Sequence, residues 1–317
     1  MAVSPAPSHM GNRLTDQQYG LLIALIAATL FSTKPILIKW LYSLGVEVLP
    51  MIWLRMATAL PFYLLAGWIS WRRKPKVIAR QEWWRAIAIG LLGYYASSML
   101  DLHGLQYVSA QLERLVLYAY PSMVVILGIL FFGQPFKIRI VPPLLITYAG
   151  LALMYGHDLH AMGSATNAGN VPFGTLLVSG AALTFALYLL LSRRAIETLG
   201  SVLFTSLAMS SATIGILLHS VVAAPAGQLH SVLLPDYSLT IWGGILALSL
   251  LATVLPSFLV SSAIARIGPE KTSMSGTLGP VATTLLAVWL LDEPLTLYSI
   301  GGMSLVVLGV WRLSRVR

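Results

Sequence analysis

Long apolar stretches alternate along the chain with short polar segments, and most of the stretches match the length of a membrane span. A helix that crosses a bilayer needs about 20 predominantly apolar residues. Ten stretches approach that length, the fifth being the shortest: Tyr19–Trp40, Val48–Ser70, Trp84–Val108, Ala110–Gly133, Val141–Tyr155, Phe173–Ser192, Val202–Ala223, Leu239–Ile264, Thr272–Leu291 and Leu295–Leu313. The pattern predicts an all-α integral membrane protein with ten transmembrane helices, preceded by a polar, disordered cytoplasmic tail over residues 1–17.

The composition agrees with a membrane protein and argues against several other classes. Of the 317 residues, 57% are apolar and only 10% are charged, whereas a soluble domain carries about a quarter charged residues. The net charge of +9 does not come from a basic patch with interleaved aromatic residues, so we expect no nucleic-acid partner. The chain has no cysteine, which excludes disulfides and thiolate chemistry. We expect membrane lipid and a small-molecule substrate as partners.

The distribution of charge between the loops predicts how the chain is oriented. If the amino terminus is cytoplasmic, every lysine and arginine except Lys34, Lys39, Arg55 and Arg114 falls in or beside a cytoplasmic segment. The loops on the other side contain acidic residues and no basic ones. Lysine and arginine are enriched in the cytoplasmic loops of membrane proteins. We therefore expect a multi-pass protein of the inner (plasma) membrane with both termini in the cytoplasm.

Two segments of the chain repeat one pattern. Ser109–Pro135 and Gly268–Pro294 align without a gap, and Pro121 falls opposite Pro280. A fixed offset of this kind indicates an internal duplication. Because each half holds five predicted helices, an odd number, the second half enters the membrane from the opposite side. We therefore predict two inverted five-helix repeats with a substrate site at their interface. The repeats span residues 18–155 and 173–315.

The two matched prolines are predicted hinges. Pro121 and Pro280 lie in the fourth and ninth predicted helices, at equivalent positions. A proline inside a helix removes a backbone hydrogen bond and can kink the helix. A symmetric pair of kinks suits a transporter whose halves move against each other, and a static bend is the alternative.

Each repeat also carries a short run before its proline and a turn that ends in proline after it. The runs are Gly104–Ala110 and Ala263–Gly268, and the turns are Gly133–Pro135 and Asp292–Pro294. On these residues the chain, over roughly 18–315, resembles the EamA family of the drug/metabolite transporter superfamily. In that family the second motif commonly ends in Glu-Pro, as here, whereas the first copy of this chain has Gln134 in place of an acidic residue. The resemblance implies ten helices in two five-helix repeats, and transport of amino acids, other small metabolites or drugs without ATP.

Five charged residues fall inside predicted helices of the first repeat. At a rise of about 1.5 Å per residue, all five lie in one layer nearer the predicted outer side: Lys34, Arg55, Asp101, Glu113 and Arg114. A charge at membrane depth costs on the order of 3 kcal/mol, so it faces protein or water and is a functional candidate. We predict a site for a charged substrate, in which the basic residues meet a carboxylate and the acidic ones meet an amine. Both acids are also candidates for a coupling proton.

A structural interpretation of the same residues stays open. Lys34 would then pair with Asp101 and Arg55 with Glu113, while Arg114 would reach the outer headgroup region. Such pairs would lock the helices together and seal the outer side of the bundle.

Aromatic and hydroxyl residues complete the predicted site. Tyr94 and Ser98 share a face of the third predicted helix with Asp101. Tyr118 and Tyr120 precede Pro121 and are placed to stack on a substrate or to cover a cation. The alternative for each tyrosine is core packing, with its hydroxyl satisfied inside the protein.

Motifs of other classes are weak or missing. The sequence has no P-loop, so it has no recognisable ATP-binding motif to drive transport. His157 and His160 lack a third ligand, so we expect neither a metal nor another cofactor. We predict a transporter rather than an enzyme, and first an exporter of amino acids or related compounds that works by alternating access, as a uniporter or proton-coupled antiporter. The alternatives are uptake of organic anions or phosphorylated metabolites, efflux of drugs or other cations, and a non-transporting membrane enzyme or sensor.

Overall fold

A computed structural model of the chain describes residues 15–73, 78–163, 170–224, 227–275 and 279–315, and for 161–163 the backbone only. The regular structure of these residues is entirely helical, as the sequence predicts. The helices are α1 (Asp16–Ser32), α2 (Lys34–Ser43), α3 (Val48–Arg72), α4 (Arg80–Gly90), α5 (Ser97–Gly104), α6 (Ala110–Leu117), α7 (Tyr120–Phe131), α8 (Val141–Gly163), α9 (Val171–Leu199), α10 (Ser201–Ala223), α11 (Leu229–Leu233), α12 (Leu239–Ser249), α13 (Leu255–Met274), α14 (Gly279–Leu291) and α15 (Leu297–Arg315). Residues 1–14 of the predicted tail lie outside the described residues.

Eight helical segments among the described residues are long and apolar enough to cross a membrane. They are Asp16–Ser43, Val48–Arg72, Ala110–Phe131, Ile138–His160, Val171–Leu199, Ser201–Ala223, Leu239–Met274 and Leu297–Arg315. The shorter helix α14 is also apolar. The eight segments support a multi-pass membrane protein, and the layout fits two repeats. The number of ten spans stays a prediction.

Helix ends differ from the predicted ends mainly around the loops. Helix α8 continues to Gly163 rather than ending at Tyr155, and α9 runs to Leu199 rather than Ser192. The extra turns are less apolar than the centres of these helices. Helix ends predicted from the apolar pattern therefore fall too early, because a helix continues through polar residues as long as its backbone stays helical.

Both repeats contain a π-helical turn at the same repeat position. Leu91–Ala96 joins α4 to α5, and Leu250–Val254 joins α12 to α13. Single π turns within helices are rare and are often found at functional sites. Helix α13 is itself broken at Gly268, whose φ of 77° is outside the helical region. Because a π turn adds a residue to the helical turn, the residues after it lie on a different helix face from the one that regular α-helical spacing predicts.

The two repeats interlock rather than standing side by side. Helix α1 packs along α13, α3 along α10, α5 along α9, and α8 along α15. The α8–α15 pair is close because Gly150 lies against the backbone of Gly302: a Cβ atom at Gly150 would stand 2.6 Å from the Gly302 carbonyl oxygen. Small residues permit such close helix contacts in membranes.

The outer surface of the bundle is apolar, and several charged groups are inside it. Leu239 and Leu297 are 88% and 85% exposed, which suits lipid contact. Arg55, Asp101 and Glu113 are buried. This distribution is the reverse of a soluble protein's and fits an integral membrane protein.

The two ends of the bundle differ in charge and are named accordingly. At the basic end, where α1 begins, Arg266 pairs with Asp16 at 3.3 Å and Lys271 lies in the same recess as Arg266. At the acidic end, where α6 begins, Asp158 and Glu293 both bind the first residues of that helix.

Candidate functional site

A central cavity of about 100 Å³ lies between the two repeats. Eight of the nine residues predicted to bind substrate line this cavity: Lys34, Arg55, Tyr94, Ser98, Asp101, Arg114, Tyr118 and Tyr120. The ninth, Glu113, is fully buried behind the wall. The structure thus brings together residues from α2, α3, α5, α6 and α7 and from the segment that joins α4 to α5.

An ion pair joins two of the cavity residues. Lys34 begins α2, directly after the chain leaves α1 at Thr33, and its Nζ binds Oδ2 of Asp101 on α5. Their side chains are only 14% and 1% exposed. Oδ1 of Asp101 has no hydrogen-bond partner among the described residues. This pair was one of the structural alternatives, and it lies in the cavity wall, where a substrate group can compete for either partner.

Arg55 does not form the alternative pair with Glu113. Its Nη2 donates to Oγ of Ser98 at 2.9 Å, and its Nε has no acceptor in the described part of the chain. The side chain is 3% exposed. The prediction of an Arg55–Glu113 ion pair is wrong because Arg55 points from α3 toward α5, whereas Glu113 projects from α6 behind the cavity wall.

Arg114 also differs from the structural alternative, since it turns inward rather than toward the headgroups. Its Nη2 donates to the carbonyl oxygen of Ala28 at 3.2 Å and to Oγ of Ser32 at 3.3 Å. A Cβ atom at Gly279 would stand 2.7 Å from the same nitrogen. Arg114 therefore links α6 to α1 at the point where α14 begins.

The tyrosines of the cavity are held by hydrogen bonds to the second repeat. The hydroxyls of Tyr94 and Tyr188 are 3.0 Å apart, and Tyr188 is 3.4 Å from Oγ of Ser261. The hydroxyl of Tyr120 donates to the carbonyl oxygen of Ser273 at 3.0 Å. Tyr118 is buried, and its ring meets that of Tyr120 edge to face. The expected internal satisfaction of hydroxyls thus holds for Tyr94 and Tyr120, which still present their rings to the cavity.

The second repeat supplies a wall that the sequence analysis missed. Its lining residues are Phe185, Leu189, Met209, Ala252, Thr253, Val260 and Thr272. None is charged, so the rule that marks charges at membrane depth could not find them. A signal was nevertheless present, because Met209 and Thr272 occupy the repeat positions that match Arg55 and Glu113.

The two predicted hinge prolines begin helices instead of interrupting them. Pro121 lies in the first turn of α7, after α6 has ended at Leu117. Pro280 is the second residue of α14. In the first turn of a helix the proline nitrogen has no intrahelical acceptor to lose. The expected loss of a hydrogen bond at a kink is therefore not what these prolines cause, and a hinge role stays a prediction.

At the acidic end, the second repeat caps the first turn of α6. Glu293 accepts from the backbone amides of Ala110 at 2.9 Å and Gln111 at 3.4 Å, and Asp158 accepts from that of Ser109 at 2.9 Å. The first amides of a helix lack intrahelical acceptors, and a carboxylate there also meets the positive end of the helix dipole. We call Glu293 with these amides the acidic-end contact.

At the basic end, the matched turn of the first repeat makes a related contact. Nε2 of Gln134 donates to Oε1 of Glu270, in the part of α13 that follows Gly268. The two turns have the same backbone form: Gly133 and Asp292 both have positive φ, at 66° and 53°. We call the Gln134–Glu270 pair the basic-end contact. Each contact joins one repeat to the other.

The comparisons with known proteins agree with this architecture. The profile of the EamA-like transporter family matches residues 18–156 and 172–315. The uncharacterized transporter YcbK of Bacillus subtilis (strain 168) is 27% identical over 306 residues, which cover 94% of this chain and 95% of that protein. The uncharacterized transporter YyaM of the same organism is 24% identical over 231 residues, 73% of this chain and 72% of that protein.

A solved crystal structure shows a similar fold. The TM-score is 0.65 at 17% sequence identity, with 94% of this chain and 97% of that chain covered. The likeness concerns the fold alone. The family profile covers both repeats, which confirms the resemblance seen in the motifs: the chain belongs to the EamA-like transporter family.

Proposed function

We propose that the protein is a secondary transporter that moves a small polar metabolite across the inner membrane through the central cavity. The observation that carries this proposal is the presence of buried charges of both signs on one small cavity between the two repeats. Lys34, Arg55 and Arg114 bring positive charge to it, and Asp101 brings negative charge. Such a cavity suits a solute with its own charged groups better than a lipid or an uncharged drug.

Arg55 is the favoured partner of a substrate carboxylate. A buried guanidinium is stable only when its charge and its donors are compensated. The one hydrogen bond that we identify for Arg55 ends on the neutral hydroxyl of Ser98, and its Nε lacks an acceptor. A carboxylate at this position would form charge-assisted hydrogen bonds that a hydroxyl cannot replace.

A zwitterion would use the opposite sign of charge as well. Its amine would approach Asp101, which lines the cavity and whose Oδ2 binds Lys34. Amino acids or closely related compounds are therefore the first choice of substrate, with export as the proposed direction. The second choice is an organic anion or phosphorylated metabolite, favoured by the excess of cationic groups on the cavity.

Transport would proceed by alternating opening of the two ends. Both end contacts are formed in the structure, so we assign it to a closed state between the two open ones. The described helices would make ten crossings if α1–α2 and α6–α7 are broken single spans, if α4–α5 and α12–α13 are joined through their π turns, and if α14 belongs to the ninth. The basic end would face the cytoplasm, because lysine and arginine favour that side.

The test combines ligand-dependent stability with flux. Purified protein is heated in detergent with zwitterionic amino acids, organic acids, phosphorylated metabolites or lipophilic cations, since a ligand at 100 times its Kd stabilises by about 2.7 kcal/mol. The solutes that stabilise are then followed into and out of proteoliposomes. Uptake or release of an unchanged solute supports transport, whereas chemical conversion of the solute would support the enzyme alternative.

Two cavity variants are expected to lose function without losing the fold. Arg55→Ala and Asp101→Asn should each reduce flux, and the ligand affinity read from the stability screen, at least about tenfold, because each removes one pole of the site. Lys137→Ala, at an exposed position of the basic end, is the matched control and should transport as the wild type. Normal transport by both cavity variants would show that the substrate binds elsewhere.

A further inference from the structure

Glu113 and Asp101 form a pair of buried carboxyl groups that share no hydrogen-bond donor. Glu113 is 0% exposed, and neither of its carboxyl oxygens accepts a hydrogen bond from another group in the described part of the chain. Asp101 is its strongest electrostatic neighbour. Because Oδ1 of Asp101 is also without a donor, three carboxyl oxygens in one buried place need at least one hydrogen.

The cations around the pair do not supply it. Nζ of Lys34 binds the other oxygen of Asp101, Oδ2. Arg114 follows Glu113 in α6, but its Nη2 is directed to Ala28 and Ser32 of α1. Lys39 interacts with Glu113 from α2 but more strongly with two other carboxylates.

The charged and titratable groups of α8, α14 and α5 do not supply it either. Asp158 of α8 is engaged by the backbone amide of Ser109, and α14 carries no charged side chain. His103 of α5 turns its Nδ1 to the carbonyl oxygen of Met99, 2.7 Å away. A proton carried by one of the two carboxyl groups would supply the missing hydrogen.

We propose that Glu113 is the site of a coupling proton, held as a carboxylic acid whose O–H donates to Oδ1 of Asp101. Two ionised carboxylates in one buried place would repel each other, and a shared proton replaces that repulsion by a hydrogen bond. Release takes two transfers: the Glu113 O–H bond breaks as its proton passes to Oδ1 of Asp101, and Asp101, which lines the cavity, then gives the proton to water there, so that two carboxylates remain. This inference rests on the proposed transport function and names its coupling ion.

The position of Asp101 explains how the proton would affect the substrate. Asp101 lines the cavity, whereas Glu113 lies behind it. With the proton present, Asp101 is occupied by Glu113 and Lys34. When the proton leaves, the added negative charge strengthens binding of a substrate amine and draws Lys34 away from Asp101. A proton and an amine-bearing substrate would therefore exclude each other, which is the requirement for antiport.

The first experiment detects the proton itself and needs no substrate. Infrared difference spectra of the reconstituted full-length protein are recorded across pH steps, and the carbonyl band of a protonated carboxylic acid is compared between variants. We expect a band in the wild type that is lost in Glu113→Gln and kept in Glu197→Gln, an exposed carboxylate on α9. Because glutamine is isosteric with the protonated acid, Glu113→Gln should fold normally. An unchanged band in Glu113→Gln would overturn the proposal.

The second experiment separates this inference from the proposed function. Vesicles that hold a trapped pH-sensitive dye are mixed with the zwitterionic amino acids of the stability screen. The wild type should move protons in the direction opposite to the amino acid, whereas Glu113→Gln should exchange amino acids without moving protons. Amino acid flux in the wild type that no pH gradient drives would overturn coupling at Glu113. A Glu113 band without any solute flux would instead overturn the proposed function and leave the proton site standing.

Discussion

The acidic-end and basic-end contacts are built on the same turn but place their carboxylates on opposite repeats. At the acidic end the turn supplies the acid, Glu293, and the capped helix supplies Gln111, whose Nε2 also donates to the carbonyl oxygen of Pro294 at 3.4 Å. At the basic end the turn supplies the amide, Gln134, and the helix supplies the acid, Glu270. By repeat position Gln111 matches Glu270 and Gln134 matches Glu293. Each contact thus has one acid and one amide, in exchanged order.

This exchange explains why the first motif departs from the family pattern. With Glu270 present, an acidic residue at position 134 would face a second acid. The glutamine avoids that repulsion and donates a hydrogen bond instead. The apparent loss of a motif residue is therefore a relocation of the carboxylate to the other repeat.

The exchange also makes the two ends unequal in energy. Glu270 belongs to the helix segment whose start it occupies, so its carboxylate stays near that helix dipole whether the contact is open or closed. Glu293 reaches the dipole of α6 from the other repeat, so opening removes its charge from the helix start. We therefore expect the acidic end to be the harder one to open.

The largest effect is expected from Glu293→Ala. The substitution removes the acceptor of two backbone amides, and hydrogen bonds to charged groups contribute about 1.5–3 kcal/mol. We expect thermal stability in detergent to fall and the acidic end to open. Because the chain has no cysteine, Leu117→Cys on the cavity wall provides a single thiol for an impermeant maleimide. Labelling in intact cells should rise about tenfold or more with Glu293→Ala.

The control for that experiment is Glu197→Ala, which removes an exposed carboxylate from α9. It should leave labelling of Leu117→Cys unchanged. If Glu293→Ala labels no faster than this control, the acidic-end contact does not hold that end closed.

The second effect is expected from placing two acids at the basic end. In Gln134→Glu the new carboxylate faces Glu270, and two like charges at this partly exposed site repel by about 1–2 kcal/mol. Thermal stability should fall by a corresponding amount, most strongly at low ionic strength. The double variant Gln134→Glu with Glu270→Gln restores one acid and one amide in the order found at the acidic end. It should recover most of the stability.

The acid–amide interpretation is wrong if the double variant loses as much stability as the two single variants lose together. A double-mutant cycle gives this result directly, since it isolates the interaction between the two positions. Recovery would show that the acid–amide pairing matters more than which repeat carries the acid.

Part of this picture could be predicted from the sequence, because the signals act within one helix. The layer that holds Lys34, Arg55, Asp101, Glu113 and Arg114 followed from helix rise and from the cost of buried charge. The partner of Arg55 did not follow, because it depends on how α3 and α5 are rotated. The π turn at Leu91–Ala96 changes that rotation, and the spacing of apolar residues does not reveal it.

Other features needed contacts between the repeats. The alignment of the two halves already places Gln134 opposite Glu293 and Gln111 opposite Glu270. The significance of this exchange became clear only because the structure shows Gln134 and Glu270 in contact. The apolar wall from the second repeat, including Phe185, was missed because a neutral cavity residue looks like any core residue. Sequence reasoning found the charged residues and the tyrosines and serine near them, and it missed the apolar residues of the second repeat.

The smallest effect is expected at the turn that the two contacts share. Asp292 has a φ of 53°, a conformation that costs little for glycine and more for residues with a Cβ, whereas its match Gly133 has a φ of 66°. Asp292→Gly should therefore raise the thermal stability slightly, by up to about 1 kcal/mol. Gly133→Ala should lower it by a similar amount through backbone strain alone, since no atom lies within 4 Å of a Cβ built there. Asp292→Asn, which removes the charge but keeps a side chain tolerant of this conformation, should change stability less than either. Equal stabilisation by asparagine and glycine would show that the charge of Asp292, rather than its backbone, is the cost at the acidic-end turn, and the two turns would then differ in electrostatics and not in strain.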